Sequence, residues 1–124
     1  MTRHSFFAIA AALALSWGGG AVLLSFPSPA FAASSVIEEG RAIALDRRKG
    51  NCMSCHIIPG VDSAGNPGPP LIAMKARWPD KAKLRVQIHD ARKLNPLSLM
   101  PPFGAHEILT EEEIDKVVEF VHSL

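Results

Sequence analysis

The clearest helical pattern in the first half of the chain begins at Ser35 and extends to about Arg48. Apolar or small residues recur there on one face: Val36, Ile37, Gly40, Ile43 and Ala44. Ser35 and Glu38 have the spacing of a capping box, which predicts that the helix starts at Ser35. Because glycine destabilises a helix interior, Gly40 predicts close approach by another helix; a tolerated glycine near a helix start is the alternative.

A second amphipathic helix is predicted at the end of the chain. Thr110 and Glu113 form another capping box, and the acidic residues 111–113 suit the positive end of the helix dipole. The apolar residues that follow have helical spacing: Ile114, Val117, Val118 and Val121, with Phe120 beside them. The pattern therefore predicts an all-α domain in which the first and last helices pack together, with Gly40 at their contact.

One further helix and two proline-rich loops are predicted between these two helices. Residues 58–71 are rich in glycine and proline, which indicates a stiff loop. A middle helix is predicted from Ala82 to Leu94, with Asp80 as a candidate N-cap. Residues 95–104 contain three prolines and form the second loop. The two loops are therefore the stiff, irregular parts of the domain.

The first 32 residues have the features of a secretory signal. Arg3 supplies a positive charge, an apolar stretch follows it, and residues 30–32 (Ala-Phe-Ala) match a small-residue cleavage site. We therefore expect a signal peptide over residues 1–32 and one domain over residues 33–124, exported to the periplasm and free of the membrane after cleavage. An uncleaved membrane anchor is the alternative, because the apolar run from Phe6 to Leu24 is long enough to span a bilayer.

Residues 52–56 read Cys-Met-Ser-Cys-His, the C-x-x-C-H signature of covalent haem attachment. Cys52 and Cys55 are spaced to form thioethers with the two vinyl groups of one porphyrin, and His56 follows as the proximal iron ligand. A redox dithiol or half of a zinc site shares the C-x-x-C spacing. The chain has two cysteines in total, so a second pair for zinc is absent, and it is too short for the fold that surrounds a dithiol motif. The predicted cofactor is one haem c.

The second axial ligand decides whether such a haem carries electrons or binds other molecules. We predict Met100, because prolines on both sides stiffen its backbone and a preformed loop lowers the entropic cost of binding a weak thioether ligand. His106, just before the last helix, is the next candidate. The remaining candidates are weaker: Met53, Met74, His89 and His122. Of these, His89 is expected to face solvent and Met74 to lie in the core.

Charge is nearly balanced over the chain but unevenly distributed. The formal charge is +1 with neutral histidines, yet basic residues crowd positions 75–93 and acidic residues crowd positions 107–119. Two solvated faces are the simpler interpretation; a basic surface that docks an acidic partner is the alternative. No nucleic-acid-binding motif occurs in the sequence, so we do not expect nucleic acid as a partner.

Together these features resemble the class I c-type cytochromes, in which the terminal helices cross over one haem. Residues 68–71 (Gly-Pro-Pro-Leu) resemble the Gly-Pro-x-Leu loop of that class. The resemblance implies that the Pro69 carbonyl accepts the Nδ1–H of His56 and that Leu71 contributes to haem binding. Residues 100–103 (Met-Pro-Pro-Phe) resemble the distal-ligand segment, which implies His/Met ligation.

Arg77 and Trp78 are further candidates for contact with the haem. Arg77 is a candidate ion-pair partner for a haem propionate, and the Trp78 indole is a candidate hydrogen-bond donor to one. Packing of Trp78 at the rim of the domain is the alternative. The sequence leaves both possibilities open.

Within that class the chain most resembles SoxX, the small subunit of the SoxAX complex of bacterial sulfur oxidation. The similarity is carried by residues 46–60, 65–71 and 100–104, above all by the Arg-Lys-Gly-Asn lead-in to C-x-x-C-H and by Met-Pro-Pro-Phe-Gly. The resemblance implies a larger haem subunit, SoxA, as partner in a complex of the L-cysteine S-thiosulfotransferase type, which oxidatively couples thiosulfate to a cysteine of a carrier protein. This chain would accept electrons and pass them to a downstream cytochrome, with no catalytic residues of its own.

Two other functions remain open on the sequence. A free periplasmic cytochrome c shuttle would share the fold and ligands but would be a monomer with transient contacts, whereas a fixed subunit needs a sizeable apolar interface. A haem sensor or gas-binding protein would need Met100 to be displaceable. The three possibilities differ in partner and in ligand exchange, not in fold.

Overall fold

The computed structural model describes residues 29–62 and 65–124, and every regular element in these ranges is helical. Four α-helices follow one another: α1 (Pro29–Leu45), α2 (Met74–Arg77), α3 (Lys81–His89) and α4 (Glu111–Ser123). Two 3₁₀ turns lie between them, at Cys52–Ser54 and Ala91–Lys93. The all-α prediction is confirmed, while residues 1–28 of the predicted signal peptide lie outside the described residues. None of the helices described is long and apolar enough to cross a membrane.

Helices α1 and α4 pack against each other at Gly40, as the sequence predicts. A Cβ on Gly40 would clash with the backbone carbonyl of Lys116, with the carbonyl carbon only 2.6 Å away, and would lie 3.0 Å from the Phe120 Cβ. The Lys116 ammonium lies 2.9 Å from Glu39 of α1 and 2.7 Å from Glu112 of its own helix. The helix crossing is therefore a backbone-to-backbone approach that only glycine permits, with an ion pair at its edge.

Both ends of α1 differ from the prediction. The helix starts at Pro29, not at Ser35, because proline is tolerated in a first helical turn and the alanine-rich residues after it favour helix. The Ser35 hydroxyl donates to the carbonyl of Ala32, 2.8 Å away within the helix, so the predicted capping box at Ser35 is wrong. The helix ends at Leu45 instead of Arg48, because the Asp46 carbonyl accepts hydrogen bonds from the backbone of the turn that follows.

Helix α4 begins where the sequence predicts. The Thr110 hydroxyl accepts the Glu113 N–H at 3.2 Å, and the Glu113 carboxylate accepts the Thr110 N–H at 3.0 Å, which completes the capping box. The apolar face of α4 is buried through its whole length: Ile114, Val117, Val118, Phe120 and Val121. This face forms the largest part of the core.

The middle segment is divided where the sequence predicts one continuous helix from Ala82 to Leu94. Asp80 is the N-cap of α3, with its carboxylate 2.8 Å from the Ala82 N–H, as predicted. Helix α3 ends at His89 because Asp90 has extended backbone angles, and its carboxylate caps the following 3₁₀ turn by accepting the Arg92 N–H at 3.2 Å. An aspartate whose side chain competes for backbone N–H groups favours such a break.

Ion pairs connect the basic face of α3 to the acidic face of α4. Arg85 lies 2.6 Å from Glu111 and 2.7 Å from Asp115, and Lys81 lies 2.7 Å from Glu119. Exposed pairs of this kind add little stability, but they neutralise one another. The predicted basic docking surface is therefore smaller than the sequence suggests, because three of its cations, Lys81, Arg85 and Arg92, face carboxylates of the same domain.

Candidate haem site

A cavity of about 590 Å³ opens between the first loop, α3, the second loop and the apolar face of α4. Its lining includes all six predicted site residues: Cys52, Cys55, His56, Pro69, Leu71 and Met100. The lining is largely apolar and includes the buried side chains of Met74, Leu84 and Ile88. A volume of this size is in the range of sites for small-molecule cofactors. The cavity therefore brings together residues that the sequence separates by nearly fifty positions.

The two cysteines lie on a 3₁₀ turn that directly follows the turn after α1. Asn51 enters this turn with a left-handed backbone, φ 45°, and the Cys52 carbonyl accepts the His56 N–H at 2.9 Å. Cys52 and Cys55 are free thiols. Burial raises the pKa of the Cys52 thiol to about 11, and the nearby Cys55 adds to the shift. Before haem attachment, Cys52 would therefore be a protonated thiol at physiological pH.

The His56 ring is held by the first loop. Its Nδ1 lies 2.7 Å from the Pro69 carbonyl oxygen, so Nδ1–H donates and Nε2 keeps its lone pair. The Gly68 N–H donates to the Cys55 carbonyl at 2.8 Å, and a Cβ on Gly68 would lie 2.6 Å from the His56 Cε1. The loop therefore fixes both the tautomer and the position of the imidazole.

Arg77 hydrogen-bonds to the first loop, and its ion pair with a haem propionate stays a prediction. Its guanidinium donates to the carbonyls of Pro70, at 2.6 Å, and Ile72, at 3.4 Å, directly after Pro69. Arg77 thus supports the loop that holds His56, although it also lines the cavity. Trp78 is half-buried, packs against the core and lines the cavity beside Arg77.

Met100 reaches the cavity from the second loop. Its N–H donates to the Ser98 hydroxyl at 3.2 Å, and its Sδ lies 3.6 Å from the Gln87 Nε2 on α3. The sequence did not single out Gln87 as a site residue. One signal was available: Gln87 is polar yet lies beside the apolar line of α3, and it is the one glutamine in the chain.

Of the other candidate axial ligands, Met74 lines the cavity and the remaining four do not. His89 packs against Gly104 and places its Nε2 3.1 Å from Glu111; with 24% of its side chain exposed, it does not face solvent as predicted. His106 is exposed, and His89, His106, His122 and Met53 are not part of the cavity lining. Met74 is 2% exposed, in the core as predicted.

These residues fit a haem. The cavity presents two thiols on one turn, an imidazole whose free Nε2 lone pair is fixed by Pro69, and a thioether from the opposite loop. Thiolate, imidazole and thioether groups are the ligands that haem proteins use, and an apolar wall suits a porphyrin. The donor set and the glycine beside the imidazole therefore match the group that the sequence motif implies.

Comparison with known proteins agrees with this geometry. Residues 36–121 match a family described as "Cytochrome C oxidase, cbb3-type, subunit III". A relative described as an uncharacterized lipoprotein of Aquifex aeolicus (strain VF5) is 36% identical over 76 residues. That match covers 60% of the chain but 37% of the relative, so the chain spans well under half of that protein's length.

A solved structure is also similar. The chain resembles part of the crystal structure of SoxXA from P. pantotrophus, with a TM-score of 0.63 and 29% sequence identity. The similarity covers 69% of this chain and 79% of that chain. Together with the packing of α1 on α4, it confirms the predicted cytochrome c fold.

The family and the cysteine motif together identify the cofactor class. A cytochrome c domain with Cys52 and Cys55 in C-x-x-C-H implies one covalently attached haem c, and hence a monohaem electron carrier. Cytochromes of this type are typically extracytoplasmic. Because the matched segment runs from α1 nearly to the end of α4, the chain belongs to this family of c-type cytochromes.

Proposed function

We propose that this chain is the electron-accepting, SoxX-like subunit of a SoxAX-type complex. In such a complex, a larger SoxA-like haem subunit oxidatively couples thiosulfate to a cysteine of a carrier protein. The observation that carries the proposal is the similarity to SoxXA, at 29% identity over 79% of the matched chain. The SoxX-like segments around Cys52 and Met100 support it, because both line one cavity.

The residues of this cavity would hold the haem as the motif implies. Cys52 and Cys55 would bind it through thioethers, His56 would be the proximal ligand through Nε2, and Met100 the distal ligand through Sδ. When bound, haem c supplies a one-electron couple, and His/Met ligation raises its potential. Pro69 orients the imidazole and Leu71 forms part of the apolar wall.

The chain would transfer electrons without carrying out the sulfur chemistry itself. Its two cysteines are both committed to haem attachment, so no thiol remains as a nucleophile for sulfur transfer. Catalysis would therefore belong to the partner subunit, and the electrons would leave this chain for a downstream cytochrome. We expect no nucleic acid among its partners.

Two exposed leucines beside Met100 support a stable partner. Leu97 is 87% exposed and Leu99 is 96% exposed, and both line the mouth of the cavity. Apolar side chains that are exposed next to a functional opening favour an interface over free solvent. A protein partner seated on the mouth of the cavity would cover both leucines.

The complex would act outside the cytoplasm. The signal-like residues 1–32 support periplasmic export followed by cleavage, with residues 33–124 as the cytochrome domain free of the membrane. The lipoprotein description of the Aquifex aeolicus relative agrees with an extracytoplasmic location.

The test is gel filtration of the protein from its native periplasm, followed by haem absorbance. A subunit is expected to elute with a larger haem-bearing polypeptide, and thiosulfate with carrier protein is then expected to reduce its haem. Elution alone at about the size of one small domain, even at low salt where charged contacts are least screened, would favour the free shuttle.

A further inference from the structure

We propose that Gln87 positions the distal ligand by donating its side-chain N–H to Met100 Sδ, and that this hydrogen bond favours the reduced state of the haem. The inference rests on the proposed function, because it takes Met100 as the distal ligand. The observation is the distance of 3.6 Å between Gln87 Nε2 and Met100 Sδ. Among the described residues, no other side-chain donor lies within hydrogen-bond distance of that sulfur atom.

The backbone of Gln87 is fixed from both sides. Its neighbours Leu84 and Ile88 are buried in the core, and Arg85 is bound to Glu111 and Asp115 of α4. Gln87 itself is half-buried and lines the cavity. Its amide is therefore held by a rigid helix, whereas Met100 comes from an irregular loop. A donor on the helix can set the orientation of the sulfur atom, which lies near the end of a flexible side chain.

The chemistry of a thioether determines whether the hydrogen bond raises or lowers the reduction potential of the haem. The sulfur atom has two lone pairs, so one can face the iron while the other accepts the Gln87 N–H. A donor at the second lone pair withdraws electron density from the first, which weakens sulfur donation to the more electron-poor ferric iron. Hydrogen bonds around axial ligands are a recognised means of setting haem potentials. A neutral amide does this without burying a charge.

The test is a redox titration of the haem-loaded protein with Gln87→Leu, which removes the donor at similar size. Loss of one weak hydrogen bond is expected to lower the reduction equilibrium constant roughly threefold to fivefold. At 59 mV per tenfold, this is a fall of about 30–40 mV in midpoint potential. Gln87→Asn keeps the amide but shortens its reach, so the same fall is expected. Val86→Thr, a neutral change at an exposed position of the same helix outside the cavity lining, is the matched control and should leave the potential unchanged.

The absorption spectrum separates failure of this inference from failure of the proposed function. If ferric wild-type protein lacks the weak far-red band of iron–thioether ligation, Met100 is not the ligand and the proposed ligation is wrong. If the wild type and both Gln87 variants have that band and equal potentials, Gln87 does not act on the sulfur atom. A lowered potential in both variants, with the band present and Val86→Thr unchanged, supports the role.

Discussion

The two sides of the cavity are built in different ways. On the side of His56, three backbone hydrogen bonds join the loop to the cysteine turn, at 2.7–2.9 Å: Gly65 to Met53, Gly68 to Cys55 and Leu71 to Ile57. On the side of Met100, side chains of Gln87, Asn95 and Ser98 hold the loop. The proximal loop is therefore held to the cysteine turn mainly by backbone hydrogen bonds, while the segment next to Met100 is held by side chains that substitution can change without altering the fold.

The largest effect is expected from adding a methyl group on the proximal side. Gly68→Ala would place a Cβ 2.6 Å from His56 Cε1. Because the Gly68 N–H already donates to the Cys55 carbonyl, the backbone cannot easily shift to avoid this contact. Loss of a support of this kind typically costs 10- to 100-fold, so we expect roughly tenfold less haem-loaded protein. Haem content per polypeptide, from absorbance in pyridine and alkali, is the measurement.

Gly60→Asn is the matched variant for Gly68→Ala. Gly60 has φ +72° with open space around it, and asparagine tolerates such a backbone. It should load haem like the wild type. Equal haem content in Gly68→Ala would mean that the first loop does not hold His56 rigidly.

The second-largest expected effect is on the affinity for the proposed partner, which we expect to bind at the distal side of the cavity. Replacing Leu97 and Leu99 together with serine removes the two most exposed leucines from the mouth of the cavity. We expect partner binding to weaken about tenfold, because apolar anchors at an interface centre carry much of its affinity. The free energy of unfolding should change by less than about 0.5 kcal/mol per site, as for other exposed positions. Binding can be measured by surface capture and stability by urea titration.

Ile72→Ser provides the comparison for the two leucines. Ile72 is also exposed but does not line the cavity. It should leave partner binding unchanged. A similar loss of binding in Ile72→Ser would point to a general surface effect and not to an interface at the cavity mouth.

A smaller effect is expected on the free energy of unfolding when one serine is replaced on each side of the cavity. Ser98→Ala removes the acceptor of the Met100 N–H and should lower the free energy of unfolding by about 0.5–1.5 kcal/mol. Ser54→Ala removes the donor to the Asn51 carbonyl in the proximal turn, where backbone hydrogen bonds remain. Denaturant titrations should therefore show the larger loss for Ser98. Equal losses would remove the distinction between the two sides.

The smallest expected effect is a pH dependence of the free energy of unfolding, which arises from Glu111 in the first turn of α4. The Arg85 guanidinium, and then the charge and hydrogen bond of His89, hold the pKa of Glu111 below its ordinary value. A carboxylate with a lowered pKa stabilises the fold above about pH 4.5 and loses that contribution as the pH falls further. Glu111→Gln should therefore lose less stability than the wild type between pH 5 and about pH 3, as measured by denaturant titration. Glu38→Gln, at an exposed position of α1 with no ion pair among the described residues, is the matched control.

Several features could be predicted because they depend on neighbours in the sequence. The capping box at Thr110, the N-cap at Asp80 and the apolar face of α4 each involve residues a few positions apart. The predicted boundary at Ser35 failed because one local signal competed with another, and the helix-favouring alanines before it extended α1 to Pro29. The break at Asp90 was missed because a capping side chain and a helical pattern coexist in one segment.

The features of the site also divide into those that could be predicted from the sequence and those that depend on the fold. The cysteines, His56 and the proline-rich loops could be predicted from the sequence, because covalent spacing and backbone sterics act over short distances. Three contacts could be seen only in the folded chain: Arg77 supports the first loop, α3 and α4 neutralise each other's charges, and Gln87 meets Met100. These contacts depend on how helices pack at a distance, which a pattern of apolar positions constrains in face but not in side-chain partner.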